Sequence, residues 1–252
     1  MILAIDATND VHVMAHAMGD ATPDGLAAAV VTRMEHAAEL VNASHVVAAF
    51  DEPSNFRKEL CPTYKANRSH DPRIGDYLAA TFQRSAAIAT PVAVAGFEAD
   101  DLLATLAAIG ARRAEKVVLA SPDKDLRQCL RPGLVTQLKK LQRRGGRSVP
   151  TWYCAATLQK EHGLLPYQWP DFQALVGDQG DNITGCLGIG PKTAAALLTD
   201  LGTLHAILAN PWRAKVTDRI RQALFDFKKR ADLVRKLVTL IDNVEGVNDC
   251  LR

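Results

Sequence analysis

The chain has 252 residues, 48% of them apolar, enough for one large core or two modest ones. Its 30 Lys and Arg against 28 Asp and Glu leave a net charge of only +2, which by itself selects no partner. Five cysteines stand singly without C-x-x-C spacing, which argues against a zinc site or redox pair and for free thiols in a reducing compartment. The opening MILAIDATND lacks the basic start and apolar length of a signal peptide, and no window approaches the roughly 20 apolar residues of a membrane span. A cytoplasmic protein with no membrane partner is therefore expected.

In chain order, ILAI (2 to 5), HVVAAF (45 to 50), PVAVA (91 to 95) and KVVLA (116 to 120) are apolar runs too short for surface helices and read as buried strands. Between them, segments 24 to 41, 73 to 88 and 99 to 114 carry apolar residues at helical spacing. This alternation predicts an α/β fold with a mostly parallel central sheet flanked by helices. LVTQLKKLQRRGGRSVP reads as a β ribbon turning at Gly145 and Gly146. From about Thr151 helical patterns dominate, so the expected division is a sheet-bearing domain over 1–150 and a helical region over 151–252.

Acidic residues gather where the predicted strands end. ILAID finishes in Asp6, VVAAFD in Asp51, and VVLASPDKD delivers Asp123 and Asp125. GFEADDLLATLA places Glu98, Asp100 and Asp101 ahead of a leucine-rich helix, and LVGDQGDN adds Asp178 and Asp181 at i,i+3, on one face if that turn is helical. Ligands of parallel sheets bind beyond the carboxyl ends of strands. Singly, each acid also fits a helix N-cap; nine together would repel one another unless a cation lies among them. Oxygen donors without a matching His or Cys set favour Mg²⁺ or Mn²⁺, and a pair of such ions suits phosphodiester hydrolysis.

Setting those nine aside leaves 19 acids against 30 bases, a surplus able to hold several phosphates. In GCLGIGPKTAAALL, Gly188, Gly190 and Pro191 form a tight hairpin before a helix whose N-terminal N–H groups, beside Lys192, suit a phosphate; a simple turn is the plainer reading of G-x-G alone. In DEPSNFRKELCPTYKANR, Arg57, Lys65 and Arg68 are placed to stabilise charge on a scissile phosphate and Tyr64 to stack on an unpaired base; a solvated basic helix with a buried tyrosine fits the segment equally.

The ordered set AID, AAFD, FRKELCPTYKANR, FEADDLLATLA, SPDKDLRQCL and GDQGDNITGCLGIGPKTAAALL resembles the structure-specific 5′-nucleases: the nuclease domain of bacterial DNA polymerase I, phage 5′-exonucleases and flap endonucleases. The resemblance runs nearly end to end and implies a PIN-like nuclease core with a helical arch over about 66–96 and a helix-three-turn-helix over about 171–201. It places all nine carboxylates as ligands of two or more divalent ions, Asp101 also being catalytic. Lys65 and Arg68 become the catalytic basic pair, and Arg57, Tyr64, Gly188, Gly190, Lys192 and Thr193 the DNA contacts. A K⁺ near Ile183 to Ile189 is implied, as is a monomer acting on DNA with 5′ single-stranded ends, flaps or nicks. The alternatives are a DNA-junction binding module without strong activity and a PIN-type RNase. Two departures stand out: DATND in the first acidic loop, and Pro122 in SPDKD, where a lost N–H changes how Asp123 is presented. His12 and His16, spaced i,i+4, lack a third ligand, and the basic 138–147 ribbon reads as exposed surface.

Overall fold

The computed structural model describes residues 1–69, 71–144, 147–213 and 215–251; the expected turn at Gly145 and Gly146 lies outside these described residues. The elements run β1 Ile2–Asp6, α1 Ala7–Met18, α2 Pro23–Val41, β2 His45–Ala49, α3 Phe56–Leu60, α4 Ile74–Ser85 and β3 Thr90–Val92. There follow α5 Ala99–Arg112, β4 Val117–Ala120, β5 Val135–Arg144, β6 Arg147–Tyr153, α6 Ala155–His162 and α7 Trp169–Val176. The chain continues with β7 Gly177–Asp178, β8 Ile183–Thr184, α8 Pro191–Leu201, α9 Leu204–Ala209, α10 Asp218–Phe227 and α11 Ala231–Val238.

Two compact units form, and neither is one stretch of chain. The first holds 1–55, 70–154 and 241–252; the second holds 56–69 and 155–240. A single boundary near residue 150 therefore does not describe the packing, because the 56–69 segment finds its hydrogen-bond partners more than 100 positions downstream: Lys65 N–H donates to Asp181 O at 3.0 Å and Asn67 Nδ2 to Gln179 O at 2.9 Å.

The first unit is an α/β layer built on a six-stranded sheet of order β3-β2-β1-β4-β5-β6. Pairs β2–β3, β1–β2, β1–β4 and β4–β5 are parallel and β5–β6 is antiparallel. β1 aligns Ile2 with both His45 and Val117, so its end and those of β2 and β4 fall on one edge. Leu3 and Ile5 are buried with Leu26, Val30 and Met34 of α2 and Tyr77 of α4. Tyr77 also donates its hydroxyl to Ala21 O at 3.0 Å. α5 packs on β1, β2 and β4. The approach is close enough that a Cβ on Gly110 would meet Val117 Cγ2 at 2.1 Å, so only glycine fits there.

Start and stop signals are local. Thr22 caps α2, accepting Gly25 N–H at 3.2 Å, with Pro23 in the first turn, and Asn42 closes the helix at φ 50°. α1 was not evident from sequence; Asp6 caps it by accepting Asn9 N–H at 2.9 Å, so strand and helix join without a loop. The span expected as an arch holds α4 and β3, joined by a short turn.

The second unit is helical around buried Trp169, which stacks on Phe172 with ring centroids 4.8 Å apart. Asp171 ties three segments, accepting Leu204 N–H at 2.9 Å and Arg235 Nε at 2.6 Å. No helix among the described residues is long and apolar enough to cross a membrane.

Candidate active site

In the first unit the acids arrive from adjacent strand ends. Asp6 closes β1, Asp51 lies two residues past β2, Glu98 and Asp100 follow β3 at the head of α5, and Asp123 and Asp125 follow β4. The chain runs from β1 outward to β2 and β3 and then crosses back to β4 on the other side of β1, so the topological switch where parallel sheets open a crevice lies between β1 and β4.

Asp6, Asp51 and Asp123 are held by named donors. Asp51 Oδ1 accepts Ala99 N–H at 2.7 Å, while the Asp51 N–H donates to Thr8 Oγ1 at 2.8 Å. Ser121 Oγ donates to Asp6 Oδ2 at 2.9 Å and accepts Asp123 N–H at 3.2 Å. Asp123 Oδ1 in turn accepts Asp125 N–H at 2.8 Å. Beneath this loop Gln137, fully buried on β5, donates Nε2 to Ser121 O at 2.8 Å and to Asp123 O at 2.6 Å. Thr8, Ser121 and Gln137 were not expected from sequence. The available signal was Gln137 itself, an amide inside an apolar strand that must find partners when buried. The N–H that Pro122 lacks costs nothing visible, because Ser121 and Gln137 fix the loop around it.

Electrostatics follow from crowding. Burial, then the Asp51 charge, pushes the Asp6 carboxyl up to about 8, against the lowering effect of the Asn9 and Ser121 hydrogen bonds. Asp10, one turn along α1, is also raised by burial, an effect opposed by Arg33, whose Nε donates to Asp10 Oδ1 at 3.0 Å.

Asp101 differs from expectation. It has no exposed surface, and its two oxygens accept Glu98 N–H at 3.2 Å and Ile241 N–H at 2.9 Å. Its carboxylate is engaged by backbone, closing a capping box under Glu98 and Asp100. The geometry makes it the support of that corner.

In the second unit, Asp178 and Asp181 are on a tight β7–β8 turn, not the helical turn their spacing allowed. Asp178 Oδ1 accepts Gly180 N–H at 3.0 Å. Asp181 is met by Arg68 Nη2 at 2.5 Å and by the Tyr64 hydroxyl at 3.2 Å. Lys65, at φ 55°, lies with Nζ 5.0 Å from the centre of the Tyr64 ring. So the basic pair and two of the acids do gather. Two DNA-contact expectations are corrected: Tyr64 is 5% exposed, leaving no ring face for a base, and Arg57 is 1% exposed. The Arg57 guanidinium instead donates to Leu237 O at 2.9 Å and Thr239 O at 3.1 Å, satisfying carbonyls at the end of α11.

The glycine hairpin forms as expected. Gly188 is at φ 80°, Gly190 precedes α8 with Pro191 in its first turn, Lys192 is exposed and Thr193 half-buried. Where a K⁺ was expected, Arg230 reaches the carbonyls of Thr184 (2.9 Å) and Gly185 (2.5 Å), a fixed positive charge on that stretch.

The model of the 5′-3′ exonuclease N-terminal resolvase-like domain matches residues 1–158, and that of the 5′-3′ exonuclease C-terminal SAM fold matches 164–250. The chain belongs to the 5′-3′ exonuclease family. Within that family it is 35% identical over 248 residues to the flap endonuclease Xni of Edwardsiella ictaluri, covering 95% of this chain and 91% of the relative. It is 36% identical over 200 residues to DNA polymerase I of Mycobacterium bovis, of which those residues span 22%. The fold is that of the 5′-exonuclease of bacteriophage T5 with bound zinc, at a TM-score of 0.76, 23% identity and coverage of 99% of this chain and 92% of the other.

Proposed function

We infer that this chain is a divalent-metal-dependent 5′-nuclease that hydrolyses DNA phosphodiesters at 5′ ends or 5′-flap junctions and leaves a 5′-phosphate. The observation that carries the reading is the delivery of carboxylates from β1, β2, β3 and β4 to one sheet edge, where Asp6 is driven up to about 8 by burial and its neighbour Asp51. An all-oxygen set in which Asp51 disfavours the charge of Asp6 fits hard divalent cations. Family membership and the flap endonuclease among its relatives support the reaction class.

Asp6, Asp51, Glu98, Asp100, Asp123 and Asp125 would be the ion ligands of the first unit, and Asp178 and Asp181 those of the second. Mg²⁺ or Mn²⁺, when bound, supplies charge neutralisation and a lowered water pKa. The remaining work belongs to the chain. Thr8, Ser121, Gln137 and Asp101 hold the carboxylates in place before substrate arrives, so little reorganisation is left for the reaction. Lys65 and Arg68 carry positive charge for the phosphate, Arg68 being available because its side chain is 54% exposed. The 66–96 span cannot all be arch, because β3 within it pairs with β2 in the central sheet and α4 packs on α2; passage of a single-stranded 5′ end is proposed for the part of the span outside β3. The Gly188–Gly190 hairpin with Lys192 and Thr193 is proposed to grip duplex DNA within a helix-three-turn-helix over 171–201. Arg230 on the hairpin carbonyls supplies charge there that a K⁺ would otherwise bring.

The test is cleavage of a labelled 5′-flap, a nicked duplex, a single strand and the RNA counterpart of the flap, each with Mg²⁺, Mn²⁺ or EDTA. Metal-dependent products carrying 5′-phosphate from the DNA flap or nick are expected. Cleavage that persists in EDTA, or that is confined to RNA, refutes the assignment.

A further inference from the structure

Between the glycine hairpin and the C-terminal helices, the second unit carries aromatic surface that its core does not use. Trp212 is 78% exposed and Phe225 62%, although α10 buries Leu224 and Phe227 on its other side. Pro211, Trp212, Arg221, Gln222, Phe225 and Lys228 line an open cavity of about 510 Å³. Arg221 lies over the indole with its guanidinium carbon 5.6 Å from the ring centre, and it is paired with Asp218. Two exposed aromatic rings on one cavity, with an arginine beside them, offer faces on which a flat ring can stack.

Charge says what. Residues 211 to 230 contain seven Lys and Arg against two Asp. Arg213, Lys215, Arg219, Lys228 and Lys229 are all exposed. A polyanion fits this rim, and an acid-poor aromatic floor fits its bases. The surface is also continuous with the hairpin on one flank. Gln222 is shared with a second concavity of about 390 Å³ that includes Leu187 of the hairpin, itself 76% exposed, and Arg230. Lys215 lines a third, together with Lys192 and Thr193 of α8. Ile220 fixes the helix here, its Cδ1 lying 3.1 Å from where a Gly188 Cβ would be.

We propose that the Trp212–Phe225 surface is a second nucleic-acid site, a base-stacking platform for unpaired nucleotides of a strand that leaves the duplex at the hairpin. Stacking needs no base-specific hydrogen bond, so the platform accepts any sequence, while the basic rim follows the backbone. The direction of the strand rests on the hairpin holding duplex, as proposed above; the platform itself does not.

The experiment is fluorescence anisotropy in EDTA with labelled dT12 and, separately, a blunt 12-base-pair duplex. The proteins are the wild type, Trp212→Ala, Trp212→Phe, Phe225→Ala, the double alanine variant and Lys192→Ala, each checked by thermal unfolding. Each alanine change at the platform is expected to weaken dT12 binding by about 5- to 100-fold, the range of one lost stack. Trp212→Phe should retain most of the affinity, and blunt-duplex binding should change less than about twofold in all platform variants. Undiminished dT12 affinity in the double variant overturns the proposal and leaves this surface to a protein partner. Equal losses for dT12 and blunt duplex also overturn it, since general electrostatics then suffices. Lys192→Ala is the independent arm: unchanged duplex affinity there defeats the hairpin reading and not the platform.

Discussion

Replacing Asp6 with Asn removes a charge that the metal-free fold tolerates badly. Folding moves this carboxyl from 3.8 to about 8, mainly through burial and secondarily through Asp51. Between those values the folded chain keeps a proton that the unfolded chain has released, so stability is fully present below the lower value and is lost as pH rises toward the upper one. One pKa unit corresponds to about 1.4 kcal/mol, so the shift sets a ceiling of about 6 kcal/mol; relaxation and water entry reduce this, and we expect about 2 kcal/mol at pH 8. Asn cannot titrate, can still accept Asn9 N–H, and presents no charge to Asp51. In EDTA, the difference in melting temperature between Asp6→Asn and wild type should therefore be near zero below about pH 4 and grow to about 4–8 °C in favour of the variant at pH 8. Saturating Mn²⁺ should reverse the order at pH 8, because wild type gains the linkage energy of the ion and the variant binds it weakly. Cleavage by the variant should fall with its metal affinity. A pH-independent difference in EDTA, or a variant less stable than wild type at pH 8, refutes the argument that crowded carboxylates destabilise this edge.

Arg68→Ala removes the Asp181 partner but a side chain that is 54% exposed; flap cleavage should fall about 100-fold or more, with unfolding free energy changed by less than about 1 kcal/mol in urea titration. Gln137→Leu deprives two carbonyls of their donor and should cost about 2–4 kcal/mol while raising the Mn²⁺ concentration needed for half-maximal cleavage; an unchanged Mn²⁺ requirement would show that the Asp123 loop holds itself. Gly185→Ala puts a Cβ 2.4 Å from Gly177 N, so loss of more than about 2 kcal/mol is expected, and wild-type stability would contradict the close backbone approach under Asp178. Arg57→Ala should lower stability by about 3 kcal/mol through its stranded carbonyls and leave duplex affinity within twofold once folded; a selective loss of DNA binding would restore Arg57 as a contact.

The strands that carry the acids were legible because each is an apolar run ending in a carboxylate, and β1, β2 and β4 fall within one or two residues of the ILAI, HVVAAF and KVVLA segments. α2, α4 and α5 were legible for the same reason at helical spacing. α1 was not, because Thr8, Asn9, Asp10 and His12 interrupt its apolar stripe and its cap is the last residue of a strand. Non-local chemistry was the larger loss. Arg57 and Tyr64 occupy a segment whose composition suits DNA, yet their burial is set by Leu237, Thr239 and Asp181, far along the chain. Asp101 reads as one more ligand until Ile241 N–H is found on its carboxylate.

Both units are completed by late-synthesised chain. Arg68 meets Asp181 only after 113 further residues have been made, and Asp101 meets Ile241 after 140. Ribosomal synthesis delivers these partners seconds after the acidic edge has emerged, and each such contact closes a long loop. An unfinished polypeptide therefore carries Arg68 without Asp181, and Asp101 without the Ile241 backbone strut. A chain able to sever DNA is kept incomplete by its own connectivity until residue 241 has left the ribosome.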